Sequence, residues 1–216
     1  MQGPPRAPHA ALAMLKEGNA RYAAEEMQRP HLSRERMTAT ALEGQRPFAA
    51  VLSCSDSRVP VELIFDRGIG DIFVVRVAGN VLGPSELASV EYAVDHLGTP
   101  LFVVMGHKKC GAIKAVFETG ALEGNLRGLS EKILLAVLQA KHDTAHTAEH
   151  VQLDEAARIN VWNAIGDALS SSHVIRRKVR EGELMIVGAL YDVYTGHVEW
   201  MGPHPAQEQL SATLEA

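Results

Sequence analysis

The stretch Phe48-Ala49-Ala50-Val51-Leu52-Ser53-Cys54-Ser55-Asp56-Ser57-Arg58 joins an apolar run to a thiol, a carboxylate and a guanidinium on alternate residues. A short, continuous apolar run is typical of a strand that is buried on both faces, as in a parallel sheet. In extended chain, alternate side chains point the same way, so Cys54, Asp56 and Arg58 could all face one site just beyond this strand. The stretch therefore predicts a buried strand followed by a reactive loop.

Three further runs rich in Val and Ile resemble the first and are bounded by Gly, Pro or charged residues: Ile72 to Val77, Leu101 to Met105 and Leu184 to Leu190. Helical patterns lie between most of these runs, and the clearest begins at Pro84 and stops at Gly98. After a turn at Asp192 to Gly196, Val198-Glu199-Trp200 predicts an antiparallel edge strand. We therefore predict an α/β fold with a mostly parallel sheet of four strands, an antiparallel edge strand and flanking helices.

The composition excludes several classes of partner. The chain has 216 residues, with 21 Lys and Arg against 26 Asp and Glu, and no basic block that would follow a phosphate backbone, so we expect no nucleic acid. No window approaches the roughly 20 apolar residues of a membrane span, and the first residues lack the apolar core of a secretory signal, so we expect no membrane association and a cytoplasmic location.

The two cysteines, Cys54 and Cys110, both follow predicted strands. The third strand ends at Met105 and is followed by His107 and Cys110, whose spacing places both side chains on one face if a helical turn begins there. Two thiolates and an imidazole suit zinc and leave a fourth position open. The alternatives are a closed site with a fourth protein ligand, or two unrelated buried cysteines beside a loop histidine. The placement of the only two cysteines at strand ends favours the metal site.

Asp56 and Arg58 have a role in such a site. Asp56 could fill the fourth position, or it could accept a hydrogen bond from a water there, and a bidentate pair with Arg58 would keep its carboxylate ionised. In the alternative, Asp56 caps the following turn and Arg58 pairs with a surface acid.

Two motifs, Cys54-Ser55-Asp56-Ser57-Arg58-Val59 and Gly106-His107-Lys108-Lys109-Cys110-Gly111, resemble the paired signature of the β-class carbonic anhydrases. The similarity covers about residues 10 to 202 and includes Asp71 to Asn80, Glu91-Tyr92-Ala93, Gly188 to Asp192 and Thr195-Gly196. This resemblance implies that Cys54, His107 and Cys110 bind one zinc ion per subunit, and that Asp56 and Arg58 form the catalytic dyad.

The resemblance also implies a substrate pocket. Gln45 matches a glutamine that binds substrate oxygen in plant-type members. The apolar wall of the pocket, which the second subunit partly provides, is matched by Phe73, Ala78 and Tyr92. We expect Gln45 and the Gly111 amide to bind the oxygen that gains charge. The second subtype of the family has a tryptophan three residues before the first cysteine. This chain has Val51 at that position, so we expect the plant-type site with an open, water-bearing zinc.

The expected reaction is the zinc-dependent, reversible hydration of carbon dioxide to bicarbonate and a proton. The alternatives are hydrolysis of carbon disulfide or carbonyl sulfide on the same scaffold, and a non-catalytic binding module stabilised by zinc. We expect one domain overall, in which residues 1–35 form a helical arm that packs on a neighbouring subunit and residues 36–216 form the α/β zinc-binding catalytic domain. The resulting assembly would be a homodimer or a dimer of dimers.

Three histidines, His142, His146 and His150, recur at every fourth residue, and one continuous helix would place them on one face. They could bind a second metal or respond to acid, but the surrounding segment is polar on every side, which favours a solvated helix face.

Overall fold

Five strands form one sheet in the computed structural model, which describes residues 7–212: β1 (Ala49–Ser53), β2 (Ile72–Arg76), β3 (Leu101–His107), β4 (Met185–Tyr191) and β5 (Val198–Gly202). Their order across the sheet is β2-β1-β3-β4-β5. The first four strands pair in parallel, and β5 pairs antiparallel with β4. The fold predicted from the apolar runs is therefore confirmed.

Helices cover both faces of the sheet. The described residues form nine α-helices: α1 (Pro8–Ala23), α2 (Arg34–Glu43), α3 (Val61–Ile64), α4 (Pro84–Glu91), α5 (Gly111–Thr119), α6 (Arg127–Asp143), α7 (Glu149–Ser171), α8 (His173–Arg180) and α9 (Gln207–Ala212). A π-helical turn, Tyr92–His96, continues α4 towards Gly98. None of these helices combines the length and the apolar character that crossing a bilayer requires.

The central strands are apolar throughout because successive side chains pack against helices on opposite faces of the sheet. In β1 and β3, Val51 and Val103 pack with α1 and α3 on one face, whereas Leu52 and Val104 pack with α4 and α7 on the other. Every residue of these two strands is buried. Because both faces are covered, neither strand shows the apolar and polar alternation of a half-exposed sheet.

The N-terminal helix packs on its own chain. In α1, Ala11 and Leu15 are fully buried in the same apolar cluster as Val51. Gly18 lies so close to α3 that an added Cβ would stand 1.8 Å from the Phe65 carbonyl oxygen. By contrast, α2 has no buried residue. The expected contact of residues 1–35 with a neighbouring subunit stays a prediction, and residues 1–6 lie outside the described part of the chain.

The prediction that the three histidines share one helix face is wrong. His142 lies in α6, His146 in the connection that follows, and His150 in α7. Helix α6 ends at Asp143, and beyond it the Thr144 and Thr147 hydroxyls donate to the carbonyl oxygens of Ala140 and Thr144, local bonds of a kind that competes with regular helix.

Candidate metal centre

The carboxyl ends of β1 and β3 bring Cys54, His107 and Cys110 together. These strands are neighbours, with Ser53 paired to Met105, so His107 at the end of β3 meets Cys54 and Cys110, which follow β1 and β3, at the same edge of the sheet. The two Sγ atoms are 4.0 Å apart, and the potential ligand atoms of all three residues lie within 4.8 Å of one another. Both cysteines are free and buried. Among residues 7–212, no other group of three or more His, Cys, Asp or Glu residues has this compactness.

His107 is oriented as a ligand. Its Nδ1 lies 2.9 Å from the Lys108 carbonyl oxygen, and because a carbonyl can only accept, Nδ1 carries the hydrogen. Nε2 is then left with a lone pair, and it is buried without a hydrogen-bond partner. A buried acceptor without a partner is costly, and a cation in front of Nε2 would remove that cost.

The two thiols differ in how easily they ionise. The hydrogen bond from Cys110 lowers the pKa of Cys54 to about 4, against the opposing effect of burial, with further help from the amides of Gly79 and Asp56. The same hydrogen bond and burial raise the pKa of Cys110 well above its usual range. The pair therefore retains one proton, and a bound cation would allow the second thiol to ionise.

These observations fit zinc. Two thiolates at about 2.3 Å from a tetrahedral zinc ion stand about 3.8 Å apart, close to the separation seen here. The S, N, S donor set is one that zinc accepts readily. The residues of the site could therefore hold a zinc ion without rearrangement of the sheet.

Asp56 and Arg58 form a bidentate pair. Arg58 Nε donates to Asp56 Oδ1 at 2.9 Å, and Nη2 donates to Oδ2 at 2.8 Å. The guanidinium also donates to the Lys109 carbonyl oxygen at 3.0 Å, which ties the two ligand-bearing loops together. This pairing, despite partial burial, holds the pKa of Asp56 well below its usual range. Asp56 also accepts from the Arg58 amide, so it caps the turn as well, but Arg58 pairs with Asp56 itself rather than with a separate surface acid.

The residues expected to line a substrate pocket lie in several elements. Phe73 of β2 and Tyr92 have ring centroids 6.1 Å apart, and Tyr92 is 48% exposed. Ala78 precedes Gly79, whose amide donates to Cys54 Sγ, and Gly111 is the first residue of α5. Gln45 is exposed in the segment before β1. The roles of these residues in substrate binding stay predictions.

Two polar residues that support the site were not found by sequence reasoning. Arg76, the last residue of β2, donates to the carbonyl oxygens of Cys54 and Asp56 at 3.1 and 2.7 Å. Asn160 of α7 donates to the Gly79 carbonyl oxygen at 2.7 Å. The position of Arg76 at the end of an apolar strand could have indicated a polar role near the site. Asn160 is distant in sequence from the site residues, and no pattern around it pointed to the site.

Known proteins are similar to this chain in sequence. The family model described as carbonic anhydrase matches residues 49–198. "Carbonic anhydrase 2" of Mycobacterium tuberculosis is 38% identical over 193 residues, which span 88% of this chain and 90% of that protein. A carbonic anhydrase of Mycolicibacterium smegmatis is 38% identical over 196 residues, which span 89% of this chain and 92% of the relative.

Solved structures are similar as well. A β-carbonic anhydrase of Aspergillus fumigatus superposes with a TM-score of 0.70 at 26% identity and covers 96% of this chain and 98% of its own. One of two β-carbonic anhydrases of Sordaria macrospora, described as tetrameric, superposes with a TM-score of 0.64 at 28% identity, with coverage of 90% and 96%. By its family match, its relatives and its fold, this chain belongs to the β-class carbonic anhydrases.

Proposed function

We propose that this enzyme catalyses the zinc-dependent, reversible hydration of carbon dioxide to bicarbonate and a proton, with one zinc per subunit on Cys54, His107 and Cys110. The observation that carries the proposal is the unpartnered, buried Nε2 of His107 within 4.8 Å of two free thiols. When bound, zinc would supply a Lewis acid that lowers the pKa of a coordinated water, the chemistry for which carbonic anhydrases are the standard example.

Asp56 and Arg58 are the proposed catalytic dyad. Asp56 stays ionised because its carboxylate pairs with Arg58, and its Oδ2 lies 3.9 Å from His107 Nε2. A carboxylate in this position can accept a hydrogen bond from the attacking oxygen and direct a lone pair of that oxygen towards carbon. Arg58 holds the carboxylate plane through two parallel hydrogen bonds, so it orients Asp56.

The proposed site is of the plant type, with water rather than Asp56 in the fourth position. Both carboxylate oxygens of Asp56 already accept from Arg58, which favours this arrangement. Substrate would lie against Phe73, Ala78 and Tyr92, and its charged oxygen would accept hydrogen bonds from Gln45 and from the amide of Gly111 at the start of α5.

Metal analysis and stopped-flow assays test this function together. The wild-type enzyme should contain one zinc per subunit and hydrate carbon dioxide. Cys110→Ala should lose both properties, because it removes one of the three zinc ligands. Lys114→Ala, an exposed substitution on α5, is the control and should change neither. Stoichiometric zinc in Cys110→Ala would contradict the ligand set.

Two alternatives are tested by the same purified protein. Carbon disulfide and carbonyl sulfide are linear like carbon dioxide, so assays of the three substrates side by side identify the preferred one. A binding module stabilised by zinc would hold the metal but turn over none of them. The bidentate Asp56–Arg58 pair at the metal centre favours an enzyme, since a structural site does not require it.

We also propose a homodimer or a dimer of dimers in which residues 1–35 and the adjoining α2 contribute to subunit contacts. The apolar side chains of Met37 and Leu42 on α2 are 55% and 81% exposed in the single chain, which favours a contact there. Sedimentation of the wild-type protein would give the assembly directly.

A further inference from the structure

The turn that follows β1 carries both a proposed ligand and the proposed catalytic carboxylate. Backbone pairing between β1 and β2 continues past the ends of the strands, since Val77 N donates to the Ser53 carbonyl oxygen and Ser55 N donates to the Val77 carbonyl oxygen. This pairing places Arg76 beside the turn. The Arg76 side chain then bonds two carbonyls of the turn, on Cys54 and Asp56.

We propose that Arg76 is a positioning residue that fixes the turn of residues 54–56 and thereby sets the place of the Asp56 carboxylate relative to the Cys54 sulfur. The inference rests on the proposed function of the site. Both of these side-chain hydrogen bonds go to main-chain oxygens, and neither goes to a proposed ligand atom.

The chemistry of the guanidinium suits this task. Its donors form a rigid, planar fork, so one side chain can hold two carbonyls at a fixed separation, whereas a lysine ammonium offers a point charge on a flexible stem. The two bonds of 3.1 and 2.7 Å use Nε and Nη2 of the same fork. Two arginines therefore hold Asp56, Arg58 through its carboxylate and Arg76 through its carbonyl.

Backbone bonds of Ser55 and Asp56 hold part of the turn, but the Cys54 sulfur is held only by long hydrogen bonds. Cys54 Sγ accepts from the amides of Gly79 and Asp56 at 3.3 and 3.4 Å, long bonds typical of sulfur. A displacement of the turn by a fraction of an ångström would move both the sulfur and the carboxylate. Catalysis depends on such positions more steeply than folding does.

The test compares Arg76→Ala and Arg76→Lys with the wild-type, zinc-loaded enzyme. Arg127→Ala, which removes an exposed arginine of α6, is the matched control. We expect both Arg76 variants to lower kcat by about 10- to 100-fold with KM changed less than about twofold, and to speed zinc release to a chelator by about tenfold. Millimolar guanidinium should restore part of the kcat of Arg76→Ala, and Arg127→Ala should match wild type throughout.

Cobalt-substituted protein provides a readout that is independent of turnover. The thiolate-to-cobalt absorption bands should shift in Arg76→Ala, because the Cys54 sulfur is no longer held in place, and they should stay unchanged in Arg127→Ala. If the wild-type enzyme does not hydrate carbon dioxide, the proposed function fails, while zinc release and the cobalt spectrum still decide the role of Arg76.

Two outcomes would overturn the inference. Wild-type kcat and zinc release in Arg76→Lys would mean that only the positive charge matters. A lowered melting temperature in Arg76→Ala with unchanged kcat, zinc release and cobalt spectrum would mean that Arg76 merely stabilises the fold. If Arg76→Ala does not fold, the Lys variant, which keeps the charge and the long side chain, decides between these cases.

Discussion

Asp56 is held by Arg58 at both carboxylate oxygens, and this geometry makes its substitution informative. In Asp56→Asn, the amide NH2 would face the guanidinium, so one of the two hydrogen bonds is lost and the negative charge disappears. We expect kcat to fall by about 100-fold or more, with zinc retained because Asp56 is not in the ligand set. Stopped-flow hydration assays and zinc analysis measure the two effects, and Ser57→Ala, exposed in the same loop, is the control. Normal turnover in Asp56→Asn would show that the assigned orienting role is wrong.

At the level of single residues, the sequence predicted those groups whose position follows from strand ends. Cys54, His107 and Cys110 come together because adjacent parallel strands end at the same edge of the sheet, a rule that needs only the apolar runs. The hydrogen bonds of Arg76 could not be predicted in this way, because they depend on the register between β1 and β2 and on the path of the turn.

At the level of elements, a buried asparagine adds three hydrogen bonds to the apolar packing of α1. Asn19 Nδ2 donates to the carbonyl oxygens of Ile64 and Gly196 at 3.2 and 2.8 Å, and Oδ1 accepts from the Val198 amide at 2.8 Å. One asparagine therefore joins α1 to the end of α3 and to the turn that leads into β5.

Replacing Asn19 should loosen this junction. Asn19→Ala leaves buried backbone groups without partners, so we expect the free energy of unfolding to fall by about 2–4 kcal/mol. Urea titrations of the zinc-loaded protein, all at one fixed protein concentration, measure the loss. Glu17→Ala, exposed on the same helix, should stay within about 0.5 kcal/mol of wild type. An equal loss in both variants would indicate a general effect on α1 instead of these three hydrogen bonds.

The elements also show where sequence patterns are ambiguous. The strands were predictable because short, continuous apolar runs bounded by Gly, Pro or charges are typical of buried strands. The histidine segment was not, because the helical spacing of His142, His146 and His150 continues across the end of α6 and the turn before α7. The apolar face of α1 was predictable, but its partner was not, since periodicity indicates that a face is buried without identifying what covers it.

At the scale of the whole molecule, a buried carboxylate links the N-terminal segment to the sheet domain. Asp66, which follows α3, is 1% exposed. It accepts from Arg21 Nε at 2.6 Å and from the amides of Gln28 and Arg29 at 3.0 and 2.8 Å. Burial opposes ionisation of Asp66, but these three donors together outweigh burial and lower its pKa.

The lowered pKa of Asp66 makes stability depend on pH in a defined direction. A carboxylate whose pKa is lower in the folded than in the unfolded state stabilises the fold above its unfolded pKa of about 4, and this contribution is lost as the pH falls through the folded pKa. Asp66→Asn should therefore lower the free energy of unfolding by about 1–3 kcal/mol at pH 7, and the difference from wild type should shrink below about pH 4. Urea unfolding of both proteins at pH 7, 5 and 3.5 measures this difference, with the exposed substitution Asp143→Asn as control. A deficit that stays constant from pH 7 to 3.5 would show that Asp66 acts through packing and not through its charge.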